Sequence, residues 1–81
     1  MTYTFKYIDN EIGIIIETKR KTFNQLIDFI KESILDNDNL TITTSTVKIE
    51  RIDRYNTITT LVDGSGKELL DLMRVADYGL D

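Results

Sequence analysis

The sequence contains no cysteine, histidine, tryptophan or proline among its 81 residues. Without cysteine there is no disulfide, no thiolate nucleophile and no cysteine-ligated metal centre. Without histidine the chain lacks the commonest general base and the commonest metal ligand. These absences exclude Ser-His and Cys-His catalytic arrangements. They predict that the chain is not an enzyme and holds neither a metal ion nor a cofactor.

The chain also lacks a long hydrophobic run. Its longest apolar stretch, Ile12–Ile16, is far shorter than the roughly 20 residues that span a bilayer. The first residues do not show the basic-then-apolar pattern of a signal peptide. Because small secreted domains usually depend on disulfides, we expect a cytoplasmic protein with no membrane contact.

Basic residues are outnumbered by acidic ones, 10 against 14, which gives a net charge of −4. Direct binding to a nucleic acid duplex requires Lys and Arg to neutralise phosphates, so we expect no direct nucleic acid contact. The chain is short enough that residues 1–81 are predicted to form a single domain. A hydrophobic content of 41% is typical of a folded domain rather than a disordered chain.

Two strands are predicted at the start of the chain. Tyr3–Ile8 alternates aromatic and polar residues, Asp9–Glu11 has turn chemistry, and Ile12–Lys19 follows as the second strand of a hairpin. Ile14–Ile16 is apolar on both faces. This indicates either a central strand covered on both sides or a strand with one face awaiting a partner.

The aromatic side chains of the first strand share one face, since Tyr3, Phe5 and Tyr7 are two residues apart. We predict that they belong to the core. The alternative is that they face away from the helices and form an exposed aromatic binding surface.

A helix is predicted from Thr22 to about Asp36. Thr22 and Gln25 have the spacing of a capping box. Apolar residues recur at steps of three and four on one side of the helix: Phe23, Leu26, Ile27, Ile30 and Ile34.

The second half repeats the order of the first. Leu40–Ile52 reads as a strand whose apolar phase changes within Thr43–Thr46, which requires a bulge or break. Tyr55–Val62 is the next strand, Asp63–Gly66 a turn, and a last helix buries Leu69, Leu72, Met73 and Ala76. The predicted fold is α+β with order ββαββα: a two-layer sandwich of a four-stranded, mainly antiparallel sheet and two helices on one face.

The stretch Asp63–Lys67 is glycine-rich and lies between a predicted strand and helix, where phosphate is often bound. Its spacing does not match a phosphate-binding loop, and Glu68 would repel an anion. We interpret it as a structural turn, with a small-ligand sensor as the alternative function.

Acidic residues follow one line along the first helix. Asp28, Glu32 and Asp36 are four residues apart, and Asp38 lies just beyond them. Like charges at this spacing destabilise a helix slightly, so their presence suggests a use. A negative strip could imitate phosphate spacing and bind a basic groove. The ordinary alternative is a solvated helix face, interrupted by Lys31.

These observations favour a small, acidic, non-enzymatic binding protein. The specific hypothesis is an inhibitor encoded by a phage or mobile element, which blocks a nucleic-acid-binding enzyme through Asp28, Glu32, Asp36 and Asp38. The other hypothesis is a homodimeric structural or assembly module, because Ile12–Ile16 needs more cover than two helices provide.

Overall fold

The computed structural model describes residues 1–55 and 58–65, together with Leu69 and Asp71. One antiparallel sheet, of order β2-β1-β3-β4, contains the strands β1 (Thr2–Asp9), β2 (Ile15–Arg20), β3 (Ser45–Ile52) and β4 (Ile58–Ser65). Three helical segments lie between β2 and β3: helix α1 (Phe23–Ile30), a π-helical turn (Lys31–Leu35) and a 3-10 turn (Ile42–Thr44). A helix packed on an antiparallel sheet confirms the predicted α+β class.

β1 lies in the interior of the sheet, between β2 and β3. Its alternating pattern places Tyr3, Phe5 and Tyr7 on the face that α1 covers, and all three are buried. The ring of Phe23 lies 5.7 Å from that of Tyr3, between centroids. The prediction that the aromatic face of this strand belongs to the core is confirmed.

β2 is an edge strand, because within the described part of the chain it pairs only with β1. None of its residues is buried, and exposed side chains alternate with half-buried ones. The prediction of a central strand covered on both faces is therefore wrong. The apolar run Ile14–Ile16 does not reflect burial, since Ile14 and Ile15 are exposed where the chain leaves the β1–β2 turn.

The predicted cap of α1 is present. The hydroxyl of Thr22 accepts a hydrogen bond from the backbone N–H of Gln25 at 3.1 Å. The side-chain oxygen of Gln25 accepts from the N–H of Lys21 at 3.3 Å, one residue before the position expected in a capping box. The cap fixes the start of the helix, and Leu26, Ile27 and Ile30 are buried against the sheet, as predicted.

The last turn of the predicted helix is π-helical. The N–H of Asp36 donates to the carbonyl of Lys31, five residues earlier, at 2.9 Å. Ile34 within this turn is fully buried, so the turn packs against the core. The predicted end near Asp36 is correct, but the regular helix ends at Ile30.

The strand predicted from Leu40 begins at Ser45 instead. The 3-10 turn Ile42–Thr44 changes the direction of the chain before the strand starts. The apolar phase change is therefore accommodated outside the strand and needs no bulge at Thr43–Thr46. From its first residue, β3 then buries Ser45, Val47 and Ile49 on the core face.

β4 occupies Ile58–Ser65 rather than the predicted Tyr55–Val62, and Tyr55 is exposed in the preceding turn. The register against β3 shifts after Ile49, so that Leu61 has no partner residue. Asp63, Gly64 and Ser65 are paired with β3. The predicted turn is thus wrong for these three residues, because the sheet extends through them.

Leu69 and Asp71 are helical, and Leu69 is fully buried in the same core as Tyr7 and Ile49. The other predicted core positions of the second helix, Leu72, Met73 and Ala76, lie outside the described residues. In the described ranges, no helix has the length and apolar character needed to cross a lipid bilayer.

Candidate functional site

Two of the four predicted contact residues lie together on the exposed side of α1. Asp28 on the helix and Glu32 in the π-helical turn are both exposed. They line an open depression of about 330 Å³ together with Gln25, Phe29 and Arg20. Because the apolar side of α1 packs on the sheet, the opposite side presents these carboxylates to solvent. The end of β2 supplies Arg20 at the rim.

An arginine stacked on an aromatic ring forms the other half of this depression. The guanidinium carbon of Arg20 lies 5.0 Å from the centre of the Phe29 ring. Phe29 in turn packs edge-on against Phe5, with ring centroids 6.1 Å apart. The core therefore holds Phe29, and Phe29 holds Arg20 at the surface.

The charge of the depression is negative, since two carboxylates face one guanidinium. Neither Asp28 nor Glu32 belongs to an ion pair within the part of the chain that the structure describes. Both carboxylates are therefore available to a cationic group of another molecule.

The π-helical turn separates the other two acidic residues from this depression. Asp36 and Asp38 follow the turn and are exposed, but they are not among its lining residues. A π turn aligns residues five apart, so the four-residue spacing does not continue in line beyond Glu32. The structure thus brings Asp28 and Glu32 together and leaves Asp36 and Asp38 outside.

The sheet face remote from α1 carries charges of both signs. The Lys6 ammonium lies 3.5 Å from Glu17 across the β1–β2 pair. The Lys48 ammonium lies 2.6 Å from Glu50 on β3. Exposed pairs of this kind contribute about 0–1 kcal/mol each. This face is typical of a solvated sheet surface and is a weaker candidate than the depression.

A buried carboxylate lies at the end of β1. Oδ1 of Asp9 accepts hydrogen bonds from the N–H groups of Glu11 at 3.0 Å and Ile12 at 3.3 Å. Oδ2 accepts from the N–H of Thr41 at 2.6 Å and from the Tyr7 hydroxyl at 3.5 Å. Asp9 therefore joins the β1–β2 turn to the segment that leads into β3.

The protonation of this carboxylate follows from its contacts. Burial by itself raises the pKa of Asp9, but the backbone N–H groups of Thr41, Ile12 and Glu11 and the hydroxyl of Tyr7 lower it further, to a net pKa below the ordinary 3.8. Burial, and then the charge of Asp9, raise the pKa of Tyr7. Asp9 is thus ionised and Tyr7 neutral near pH 7.

This buried group has a structural role. Ser45, the third buried polar residue at this end of the sheet, donates its hydroxyl to the carbonyl of Ile42 at 2.6 Å. Among the described residues, every buried polar side-chain atom has a hydrogen-bond partner. Sequence reasoning treated Asp9 only as a turn residue. The signal for its burial was present, since Asp9 continues the core-facing series of Tyr3, Phe5 and Tyr7.

An apolar surface lies at the start of β2, where Ile12, Ile14 and Ile15 are 48%, 41% and 58% exposed. These are large exposed fractions for isoleucine, and the three residues surround the turn that begins at Asp9. They form a contiguous stretch of chain beside the free edge of the sheet.

The glycine-rich stretch offers less. Asp63–Ser65 belongs to β4, whereas Gly66 and Lys67 lie outside the described residues. The acidic depression on α1 is therefore the strongest candidate for a functional contact. Comparison of the chain with models of protein families, with curated proteins and with solved structures finds no match.

Proposed function

We propose that this chain is a non-enzymatic binding protein that docks the exposed side of α1 on a basic surface of a nucleic-acid-handling protein. The observation that carries the proposal is the pairing of Asp28 and Glu32 at one open depression. Both are exposed and available for ion pairing, and they lie one turn apart.

The magnitudes divide the work between the residues of the depression. Exposed ion pairs contribute about 0.2–1 kcal/mol each, so two carboxylates mainly speed association and select against acidic partners. Affinity comes from groups that lose water at the centre of a contact, where arginine and aromatic residues are enriched. Arg20 stacked on Phe29 supplies such a centre, and its orientation is fixed before binding.

The π-helical turn beside the depression supports the proposal. Such turns are rare and occur frequently at functional sites. Here the turn contains Glu32 and directly precedes Asp36. Asp36 and Asp38 form a second acidic group, which we assign to the edge of the same contact.

In its specific form, the proposal describes an inhibitor from a phage or mobile element that acts in the cytoplasm by occupying the nucleic-acid cleft of an enzyme. It includes the complete ββαββα arrangement with two helices on one face of the sheet. The burial of Leu69 in the shared core supports that second helix.

The test begins with affinity capture from an extract of the native host, using the full chain as bait. The captured protein is then purified, and its release from labelled duplex DNA or RNA by the chain is measured. The informative variant is Asp28→Lys/Glu32→Lys. A matched control, Asp71→Lys/Asp81→Lys, changes the net charge by the same amount at positions outside the depression.

We expect the wild type and the matched control to displace the nucleic acid equally well within about threefold. The Asp28→Lys/Glu32→Lys variant should associate at least about tenfold more slowly at low salt, and the difference should shrink at high salt. Equal displacement by both variants would refute the acidic contact. Capture only of proteins that do not bind nucleic acid would refute the specific form.

A further inference from the structure

The free edge of β2 presents unpaired backbone groups of known residues. The N–H of Asp9 donates to the carbonyl of Ile14 at 2.8 Å, at the turn end of the β1–β2 pair. In an antiparallel pair, hydrogen-bonded positions alternate along the strand. The backbone groups of Ile16 and Thr18 therefore point toward β1, and those of Ile15, Glu17 and Lys19 point away from the sheet.

The two halves of this edge differ in protection. Natural edge strands avoid pairing with other chains through charged side chains, especially lysine. The second half of β2 has this protection in Lys19 and Arg20, with Lys21 next to it. The first half has none, and Ile14 and Ile15 there are 41% and 58% exposed.

We propose that the occupant of this edge is a second copy of the same chain, paired antiparallel about a two-fold axis at Ile15. Each Ile15 then lies opposite the partner's Ile15, and each Ile14 lies opposite the partner's Ile16. The exposed isoleucines cover one another, and the two sheets become one continuous sheet. This surface is distinct from the acidic depression, and the inference does not depend on the proposed function.

Charge complementarity supports a second copy in this register. Counting outward from Ile15, Lys19 comes opposite the partner's Glu11, and Glu17 comes opposite the partner's Gly13. Gly13 has no side chain, and a Cβ placed there would meet nothing within 4 Å. A register centred on Glu17 or on Lys19 would instead place like charges directly opposite each other, which is unfavourable.

Hydrogen bonding is also compatible with this axis. Ile15 points its N–H and carbonyl outward, so a two-fold axis at this residue makes a hydrogen-bonded pair with its own copy. The Cα atoms of such a pair lie about 5.5 Å apart. That separation is within the span of a disulfide, about 4.4–6.8 Å.

The absence of cysteine from the chain makes a direct test possible. Ile15→Cys should form an intermolecular disulfide in a glutathione redox buffer, at a rate that rises with protein concentration. Lys19→Cys is the matched control, because it lies on the same strand and the same face. In the proposed register two copies of position 19 are far apart, so Lys19→Cys should cross-link at least about tenfold more slowly.

Sedimentation of the chain without cysteine gives an independent measurement. The wild type should change from monomer to dimer with increasing concentration in the micromolar to millimolar range. Ile15→Lys, which places two like charges on the axis, should raise the dimer dissociation constant at least about tenfold with an unchanged circular dichroism spectrum. A wild type that stays monomeric throughout, or equal cross-linking at positions 15 and 19, would overturn the inference.

Discussion

β1 and β2 are neighbours in one hairpin, yet they have opposite roles. β1 buries Tyr3, Phe5, Tyr7 and Asp9, whereas β2 buries none of its residues. The two strands have similar apolar content, so hydrophobicity alone does not explain the difference. β1 has a strand on each side, and β2 has one only on its β1 side within the described part of the chain.

The comparison teaches that alternation and apolar content report different properties. Strict alternation in β1 corresponds to one buried face, because the rings lie under α1. The run of isoleucines at the start of β2 corresponds to a surface that other molecules can contact. Stability should therefore reside mainly in β1, and the capacity for interaction in β2 and on the outer side of α1.

The largest effect is expected in β1. Phe5 is buried and contacts Phe29, so Phe5→Ala should remove about 3–5 kcal/mol from the free energy of unfolding. Domains of this kind have about 5–15 kcal/mol in total, so the variant should be largely unfolded at moderate urea. Urea denaturation followed by circular dichroism measures the loss. Phe5→Leu should lose much less, and a loss below about 1 kcal/mol for Phe5→Ala would contradict the central position of β1.

An intermediate effect is expected at Asp9, where β1 meets the turn. Asp9→Asn replaces an acceptor of several hydrogen bonds with an amide whose NH₂ group faces N–H donors. The melting temperature should fall by about 10 °C. Asp53→Asn is a matched control in a half-exposed turn, where Oδ1 accepts from the N–H of Tyr55 at 2.8 Å. Equal shifts for both variants would show that Asp9 does not anchor the hairpin.

The same carboxylate makes stability depend on pH. The pKa of Asp9 is lower in the folded chain than its ordinary value of 3.8, so the unfolded chain takes up this proton first. The stabilisation is present above that value and is lost as the pH falls through the lower, folded pKa. Melting temperatures measured between pH 7 and pH 2 should fall less steeply below about pH 4 for Asp9→Asn than for the wild type. Parallel acid limbs would contradict this assignment.

The smallest effect is expected in β2. Ile15→Ala, measured at a concentration where the chain is monomeric, should change the free energy of unfolding by no more than about 0.5 kcal/mol. The side chain is more than half exposed, so little apolar area is lost from the folded monomer. A loss above about 2 kcal/mol would remove the distinction between the two strands.

Local chemistry explains which features the sequence predicts. The cap at Thr22, the buried positions of α1 and the core face of β1 follow from spacing and side-chain type, and the structure contains all three. The exposure of Asp28 and Glu32 follows from the same helical period. These features depend on residues within a few positions of one another.

The features that sequence reasoning missed depend on distant neighbours. The edge position of β2 is set by the pairing of β1 with β3, which no local pattern encodes. The extension of β4 through Ser65 depends on its partners in β3. The π-helical turn depends on how Ile34 packs, and it separates Asp36 from Glu32 although their spacing in the sequence is regular.

The central claim is that the outer side of α1 is the contact surface for another protein. The most direct measurement is an NMR titration of the isotope-labelled chain with the protein that it captures. The account predicts the largest amide shift changes at Arg20 and over residues 28–32, with little change on the remote sheet face at Lys6 and Lys48. Changes confined to that face, with Asp28 and Glu32 unaffected, would contradict it.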